Sequence, residues 1–532
     1  MQYKRFGVMI DCSRNGVLRV QECKKLIAIL AKMGYNCVEL YMEDTYKVET
    51  EPYFGYLRGG YTAEELKELD DYCLSLGIEL IPCIQTLAHF TATSKVPAMR
   101  GLFDTADILL CESERTYEFL EHLFEALSKN IRSRTINIGM DEAHMLGLGK
   151  YLDKNGYKRR FDILTNHLSR VNQIAQKYGY TPHIWSDMLF RLQNNGSYYG
   201  KGLHVPKDVV EKIPENVELC YWDYYTKDDE TYDDMFAAHL ETGRKVWFAG
   251  GAWCWRGFAP FNKYTLSSMK PAMQAVRKYG VENVLITLWG DNGKECSYNA
   301  VLPALYTIKQ YADGNFDEKS IKEGFEKLIG ISYDDFCLLD LPNLTPKFDF
   351  NGWPKNPCKC LFYQDCFLGI HDIDLIAEGH IPYEEYTKKL TAVLPKTGKY
   401  KYIFKAIRDL SAFLECKAEL GIQTRAAYRA GDSAKLQAQV EVFALGIKRL
   451  QAFYNSFSKL WRKENKDFGW EVQDVRLGGL MRRLKTCKRT LEEYLSGKRD
   501  AIEELDCDVL ATGNEGTLFD NNYVPMVTPS NL

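Results

Sequence analysis

Residues 134–144 read RTINIGMDEAH. A short β-rich run, RTINIGM, leads directly into two acids, Asp141 and Glu142. Seven further runs resemble it: RFGVMID (5–11), NCVELYM (36–42), IELIPCI (78–84), PHIWSD (182–187), VELCYWD (217–223), KVWFAGG (245–251) and VLITLW (284–289). They are nearly continuous apolar stretches, as parallel strands buried on both faces require. Helical stretches separate them, among them VQECKKLIAILAKMG and TAEELKELDDYCLSLG, each ending in a glycine that stops a helix. Eight β-then-α units over roughly 300 residues predict a (β/α)8 TIM barrel, an α/β fold; an open doubly wound sheet suits eight units less well.

The whole chain, at 532 residues, is too long for one ordinary domain. After about residue 315 the alternation stops, giving way to a Pro- and Asn-rich stretch, LPNLTPKFDFNGWPKNPCKC, and then to long helices. The expected organisation is a catalytic barrel over 1–335, an irregular connection over 336–380 and a mostly α-helical C-terminal domain over 381–532. In that last domain Leu436, Val440, Phe443, Ile447, Leu450, Tyr454, Phe457 and Trp461 recur four and three apart, with Asp432 or Ser433 as a cap. This stripe reads first as a bundle core and second as the seam of a homodimer. Gly478-Gly479, inside an otherwise helical pattern, suggests close backbone approach to another element.

Composition excludes several classes. Net charge is -4 with Lys and Arg dispersed, so there is no basic stripe and no nucleic acid is expected as partner. No run of 18 apolar residues predicts a membrane span. Asp11 interrupts the N-terminal apolar run, so no signal peptide is evident, and the 16 cysteines read as reduced thiols of a cytoplasmic protein. Cys358, Cys360 and Cys366 match no zinc spacing, and the nine histidines form no H-E-x-x-H pair; neither metal nor cofactor is expected.

The letters D-E-A-H also occur in nucleic-acid motors, where the acids serve ATP and magnesium. Such a motor needs G-x-x-x-x-G-K-[S/T] to cradle phosphates. Every Gly-Lys pair here, at 149, 200, 293, 398 and 497, lacks the following Ser or Thr. The motor reading fails.

In a barrel, chemistry sits at the C-terminal ends of the strands. Polar and aromatic residues follow nearly every strand here: Asp11 and Arg14; Glu43 and Asp44; Gln85 and His89; Asp141 and Glu142; Trp185 and Asp187; Trp222, Asp223, Tyr224 and Tyr225; Trp253 and Trp255; Trp289 and Asp291. Each alone has a plain structural explanation, a cap or a loop hydrogen bond. Together they make a ring of carboxylates and indoles at one mouth. Neighbouring residues on an extended chain point to opposite sides, so Asp141 and Glu142 act together only where the strand has begun to turn. Two adjacent acids do not straddle a sugar easily. They suit an arrangement in which the substrate's own 2-acetamido oxygen attacks and one acid orients that group.

The motif INIGMDEAH resembles the strand-four G-x-D-E signature of the glycoside hydrolase family 20 β-N-acetylhexosaminidases. GVMIDCSR, MEDTY, PCIQTLAH, IWSD, CYWD and LWGDNG are similar to the family's other strand-end segments, and the resemblance covers roughly residues 1–335. It is closest to the compact type without the extra N-terminal domain and with a helical C-terminal region. The resemblance implies an exo-acting retaining enzyme that removes terminal β-linked GlcNAc or GalNAc from a glycan or glycoconjugate through an oxazoline intermediate, without two-carboxylate chemistry. It implies Glu142 as general acid and then base, Asp141 as the group that orients the acetamido nitrogen, and His89 with Asp44 as support behind Glu142. Trp185, Trp222 and Trp289 would wall the sugar, and Asp291 would hold its hydroxyls. Two features depart from the family. Phe6 stands where many members carry a sugar-clamping arginine, leaving Arg14 to replace it. GGAWCWRGF has no strand-seven tyrosine, leaving Tyr224 or Tyr225 after strand six to replace it, while Trp253 is a further substrate-binding candidate. Two other readings are a barrel glycosidase with a conventional carboxylate nucleophile, using widely spaced acids such as Asp187 with Asp291 or Glu142 on sugars without an acetamido group, and a non-catalytic glycan-binding barrel.

Overall fold

The computed structural model describes residues 2–511, 518 and 521–532. Eight parallel strands close into a barrel in sequence order: β1 Arg5–Asp11, β2 Cys37–Tyr41, β3 Glu79–Cys83, β4 Thr135–Asn137, β5 Thr181–Trp185, β6 Glu218–Trp222, β7 Val246–Gly251 and β8 Asn283–Leu288. β8 returns to pair with β1. The strands lie within two residues of the sequence expectation at both ends, except that β4 stops at Asn137 rather than 140. Gly139 and Met140 take φ of +70° and +74°, which no extended strand accommodates.

The barrel interior is not purely apolar. Glu39 of β2 and His183 of β5 are fully buried, 3.2 Å apart. Asn137 donates to the same carboxylate, and His183 stacks on Trp247. A buried carboxylate is tolerated because its oxygens are partnered. Gly7 in β1 has to be glycine, because a Cβ there would overlap Cys37 of β2. Outside, the helix Val20–Met33 stops at Gly34 in the left-handed conformation, and Ala63–Ser75 starts with a Thr62–Glu65 capping box.

The chain divides into two units. The first holds residues through 252 together with Leu266–Trp289 and Leu305–Phe316, and so contains the barrel. The second gathers Trp253–Thr265, Gly290–Ala304 and Asp317–Leu532. It therefore includes the segments that follow β7 and β8. Within it, the stretch expected to be irregular contains a 3-10 helix, Cys337–Asn343, and two short α-helices, Pro357–Tyr363 and Asp372–Glu378.

The apolar stripe lies on the 32-residue helix Ser433–Glu464, capped by Asp432, whose carboxylate accepts from the Lys435 N–H. Leu436, Val440, Phe443, Leu450, Phe457 and Trp461 are buried, joined by Phe453, while Ile447 and Tyr454 are half-buried. Phe453 packs on Phe362, and both Phe457 and Trp461 pack on Trp470. The stripe thus faces this unit's own core. Cys358, Cys360 and Cys366 are buried free thiols.

Gly478 and Gly479 lie inside the helix Trp470–Leu495, exposed, with open space where a Cβ would stand. The close approach suggested by the sequence is not there, and nothing in the structure explains the pair. Replacing either glycine by alanine is expected to stabilise the protein by about 0.5–1 kcal/mol, through helix propensity alone. A lowered midpoint in chemical denaturation would contradict this.

Candidate active site

The first unit's strand ends carry a dense group of charged and aromatic side chains. At its centre the chain turns sharply after β4. Gly139, Met140 and Glu142 all have positive φ, the last at +49°. Gly139 is required twice over, since its φ is left-handed and a Cβ would overlap the Gln85 side chain. Because the backbone turns, the neighbouring acids converge instead of diverging. Asp141 Oδ2 lies 3.1 Å from His89 Nε2, and Glu142 Oε2 lies 3.8 Å from the same nitrogen. His89 and Glu43 are also left-handed, at +63° and +44°. Non-glycine residues in this region cost on the order of 1–3 kcal/mol each and persist where the surroundings over-determine them, commonly at functional sites.

The two acids differ in environment. Asp141 is buried, and its Oδ1 accepts from Gln85 Nε2 at 2.9 Å. The same Gln85 nitrogen also donates to Tyr41 Oη. Burial opposes ionisation of Asp141, but the His89 charge and the Gln85 hydrogen bond outweigh it and hold the carboxyl below its usual range. The Glu142 side chain, at 42% exposed, is open. Burial alone would strip the proton from His89; the Asp141 carboxylate, with Glu43, reverses this and raises its pKa to about 9. At neutral pH the site therefore contains an imidazolium beside an aspartate anion.

This corrects the expected support. His89 stands against Asp141, closer to it than to Glu142. Asp44 is not its partner; Arg58 holds Asp44 at 3.2 Å. The left-handed turn at Glu43 separates these two adjacent acids, and Glu43 is the one whose charge acts on His89.

Aromatic side chains surround the acids. Trp289 meets Tyr41 edge-on at 4.7 Å and Trp185 at 6.2 Å. Arg14 lies over both Tyr41 and Trp289, about 5 Å from each ring, and 3.4 Å from Glu43. Arg14 is thus at the mouth, whereas Arg5 pairs with Glu79 at the first residue of β3. Trp222 stacks on Tyr224 at 5.4 Å, with Tyr225 half-buried beside Tyr224. Trp253 and Asp291 belong to the second unit. Trp253 is buried there, stacked on Trp255 and edge-on to Tyr264; Asp291 is half-buried in the segment after β8.

Several members of the group were absent from the sequence-derived site or unassigned in it. Gln85 and Glu43 were visible only as polar residues after strands, and Asp187 only as an acid of the conventional-nucleophile alternative. Asp187 is buried beside Asp141 and Glu142, and Arg191 and Tyr41 complete the set. The spacing of Asp187 and Arg191, four apart after a strand, was the available signal for that pair. Among the described residues, Gln85 Oε1, Trp185 Nε1 and Asp187 Oδ1 are buried without a hydrogen-bond partner. Buried polar atoms are rarely left so, and orphans grouped at a strand-end mouth point to a polar ligand.

Residues 3–234 match the model "Glycosyl hydrolase family 20, catalytic domain", and residues 334–521 match "Glycoside Hydrolase 20C C-terminal domain". Hexosaminidase D of Bos taurus is 23% identical over 216 residues, 38% of this chain and 57% of that protein. A beta-hexosaminidase of Vibrio furnissii is 27% identical over 26% of this chain and 29% of its own length. The chain thus spans little over half of one of these relatives and less than a third of the other. The solved chitobiase of Flavobacterium johnsoniae, 16% identical, superposes over 95% of this chain and 74% of its own with a TM-score of 0.50, a likeness of fold.

Proposed function

We propose that this chain, which belongs to glycoside hydrolase family 20, removes terminal β-linked N-acetylhexosamine from glycans with retention of configuration. The observation that carries this reading is the turn after β4, which sets Asp141 and Glu142 side by side around His89. Two acids on neighbouring residues, both turned toward one histidine, suit an acid paired with an orienting carboxylate better than the acid and nucleophile that flank a glycosidic bond in conventional retaining enzymes. In this reading, which follows the family resemblance, the nucleophile is the substrate's own acetamido oxygen.

In this mechanism Asp141, kept anionic by His89 and Gln85, accepts from the acetamido N–H and steers its carbonyl oxygen to the anomeric carbon. As that C–O bond forms, the glycosidic C–O bond breaks, and Glu142 delivers its proton to the leaving oxygen. The result is an oxazoline-type ring. Glu142, now a carboxylate, takes a proton from water as that water attacks the anomeric carbon, and the acetamido group is regenerated. The open position of Glu142 suits a residue that meets leaving group and water in turn. Trp185, Trp222 and Trp289 supply apolar faces for the sugar and its acetyl group. The resemblance of LWGDNG to the family's strand-eight segment implies a sugar-hydroxyl role for Asp291.

Turnover of chromogenic β-GlcNAc, β-GalNAc and β-glucose substrates, measured side by side, tests the proposal. Both acetamido sugars are expected to be cleaved and the glucoside to be nearly inert, because a 2-hydroxyl cannot form the ring. Comparable turnover of the glucoside would indicate a conventional carboxylate nucleophile. No turnover of any of the three would indicate a binding barrel.

A further inference from the structure

Asp187 and Arg191, both in the first unit, have no part in the mechanism above. Asp187 is the first residue of the short helix Asp187–Arg191 that follows β5, and it is fully buried. It does not act as a mere helix cap. Its Oδ2 accepts from the backbone N–H of Glu142 at 3.1 Å and from Arg191 Nε at 2.8 Å. The residue it anchors is one of the strained ones, held at φ +49°. Arg191 is itself fixed on three sides. It bonds Asp187, donates from Nη1 to the Gly196 carbonyl, and lies 5.7 Å from both the Tyr198 and Trp222 rings. From there Nη2 stands 3.6 Å from Glu142 Oε1.

We propose that Asp187 and Arg191 are a positioning pair for Glu142: Asp187 fixes the backbone from which the acid projects, and Arg191, held by Asp187, sets that acid's orientation and proton affinity. This rests on the assignment of Glu142 as the general acid–base.

The physical argument concerns charge balance. Glu142 begins the cycle protonated and ends its first half as a carboxylate. A bare guanidinium at 3.6 Å would favour the carboxylate throughout and weaken the acid. Asp187, bonded directly to that guanidinium, offsets its charge, so Arg191 stabilises the carboxylate without stripping the proton early. The other charged groups around the pair are Asp141 on the same turn, which with Glu142 acts on Asp187; Arg191 from its own helix; and the His89 imidazolium from the β3 loop, 3.8 Å from Glu142. Glu43 and Arg14 act one step further out, on His89. Burial and the neighbouring acids also raise the Asp187 carboxyl to about 7, against the pull of Arg191.

The two residues should move the same observable in opposite directions. The alkaline limb of kcat against pH reports loss of the proton from the general acid. Asp187→Asn keeps the acceptor for the Glu142 N–H but leaves Arg191 uncompensated, so the limb should move to lower pH. Arg191→Met removes the cation, so the limb should move to higher pH. Each shift is expected to be about 0.5–1 pH unit, a nearby-charge effect reduced by the exposure of Glu142. Arg191→Lys should restore most of the wild-type limb. Thermal melting of each variant controls for folding, and Arg191 variants, on a partly exposed side chain, cover the case in which Asp187→Asn does not fold. Limbs that coincide with wild type in folded variants, or that move in the same direction, overturn the proposal. Failure of the underlying assignment looks different: Glu142→Gln would then retain wild-type activity on a substrate with a poor leaving group.

Discussion

Glu142→Gln is expected to lower kcat by about 10²–10⁴-fold on a substrate with a poor leaving group, the usual span for one proton-transfer residue. The amide is nearly isosteric but can neither deliver a proton to the glycosidic oxygen nor take one from water. Folding should be unaffected. The carboxylate is open rather than packed, its Arg191 contact at 3.6 Å is longer than a hydrogen bond, and the backbone N–H that Asp187 holds is retained. Circular dichroism and a thermal melt matching wild type would separate lost chemistry from lost structure. An unfolded variant would mean that the charge of Glu142 supports the turn, which this arrangement does not require.

The largest expected effect on stability lies in the second unit. Lys359 and Glu295 form an ion pair at 2.9 Å with both side chains fully buried. The Lys359 ammonium also donates to the Asn292 carbonyl. Glu295 accepts from Tyr363 Oη at 3.1 Å and faces Arg476 at 3.2 Å. Lys359→Met leaves a buried carboxylate with one cation instead of two and removes a tie to the segment after β8. A broken buried pair costs about 3–5 kcal/mol, and the remaining Arg476 places this case near the lower end. Adding Glu295→Gln removes the stranded charge, so the double variant should lose less than the sum of the single changes. Urea midpoints of the four proteins measure this. A loss below about 0.5 kcal/mol in the single variant would mark the pair as no more important than a surface bridge.

The barrel was legible because its strands are buried on both faces and so leave continuous apolar runs. Where the sequence misled, a local turn was responsible. β4 looked seven residues long because RTINIGM reads as one β-rich run, yet it ends at Asn137, just before Gly139 and Met140 turn left-handed. Sequence order placed Glu43 and Asp44 together but could not say which would act on His89, since the φ of Glu43 decides that. The stripe from Leu436 to Trp461 was readable as a core face, although Ile447 and Tyr454 are only half-buried and Phe453 takes a core place between them. Glu39 and His183 were hidden in strand patterns because a buried polar pair leaves no periodic trace. Asp187 was readable only as an acid of the alternative hydrolase, and Arg191 not at all. Their relation to Glu142 arises from a short helix that packs its first residue under a different strand's turn.

The division of labour between Asp141 and Glu142 is tested most directly by comparing the two amide variants on two β-GlcNAc substrates, one with a dinitrophenol leaving group and one with a poor leaving group. Dinitrophenolate departs with little help from an acid. Glu142→Gln should therefore recover much of its lost formation-step rate on that substrate. Asp141→Asn weakens the orientation of the internal nucleophile, a positioning defect that the leaving group does not repair, so its loss should be similar on both. Equal sensitivity of the two variants to leaving-group acidity would contradict the account.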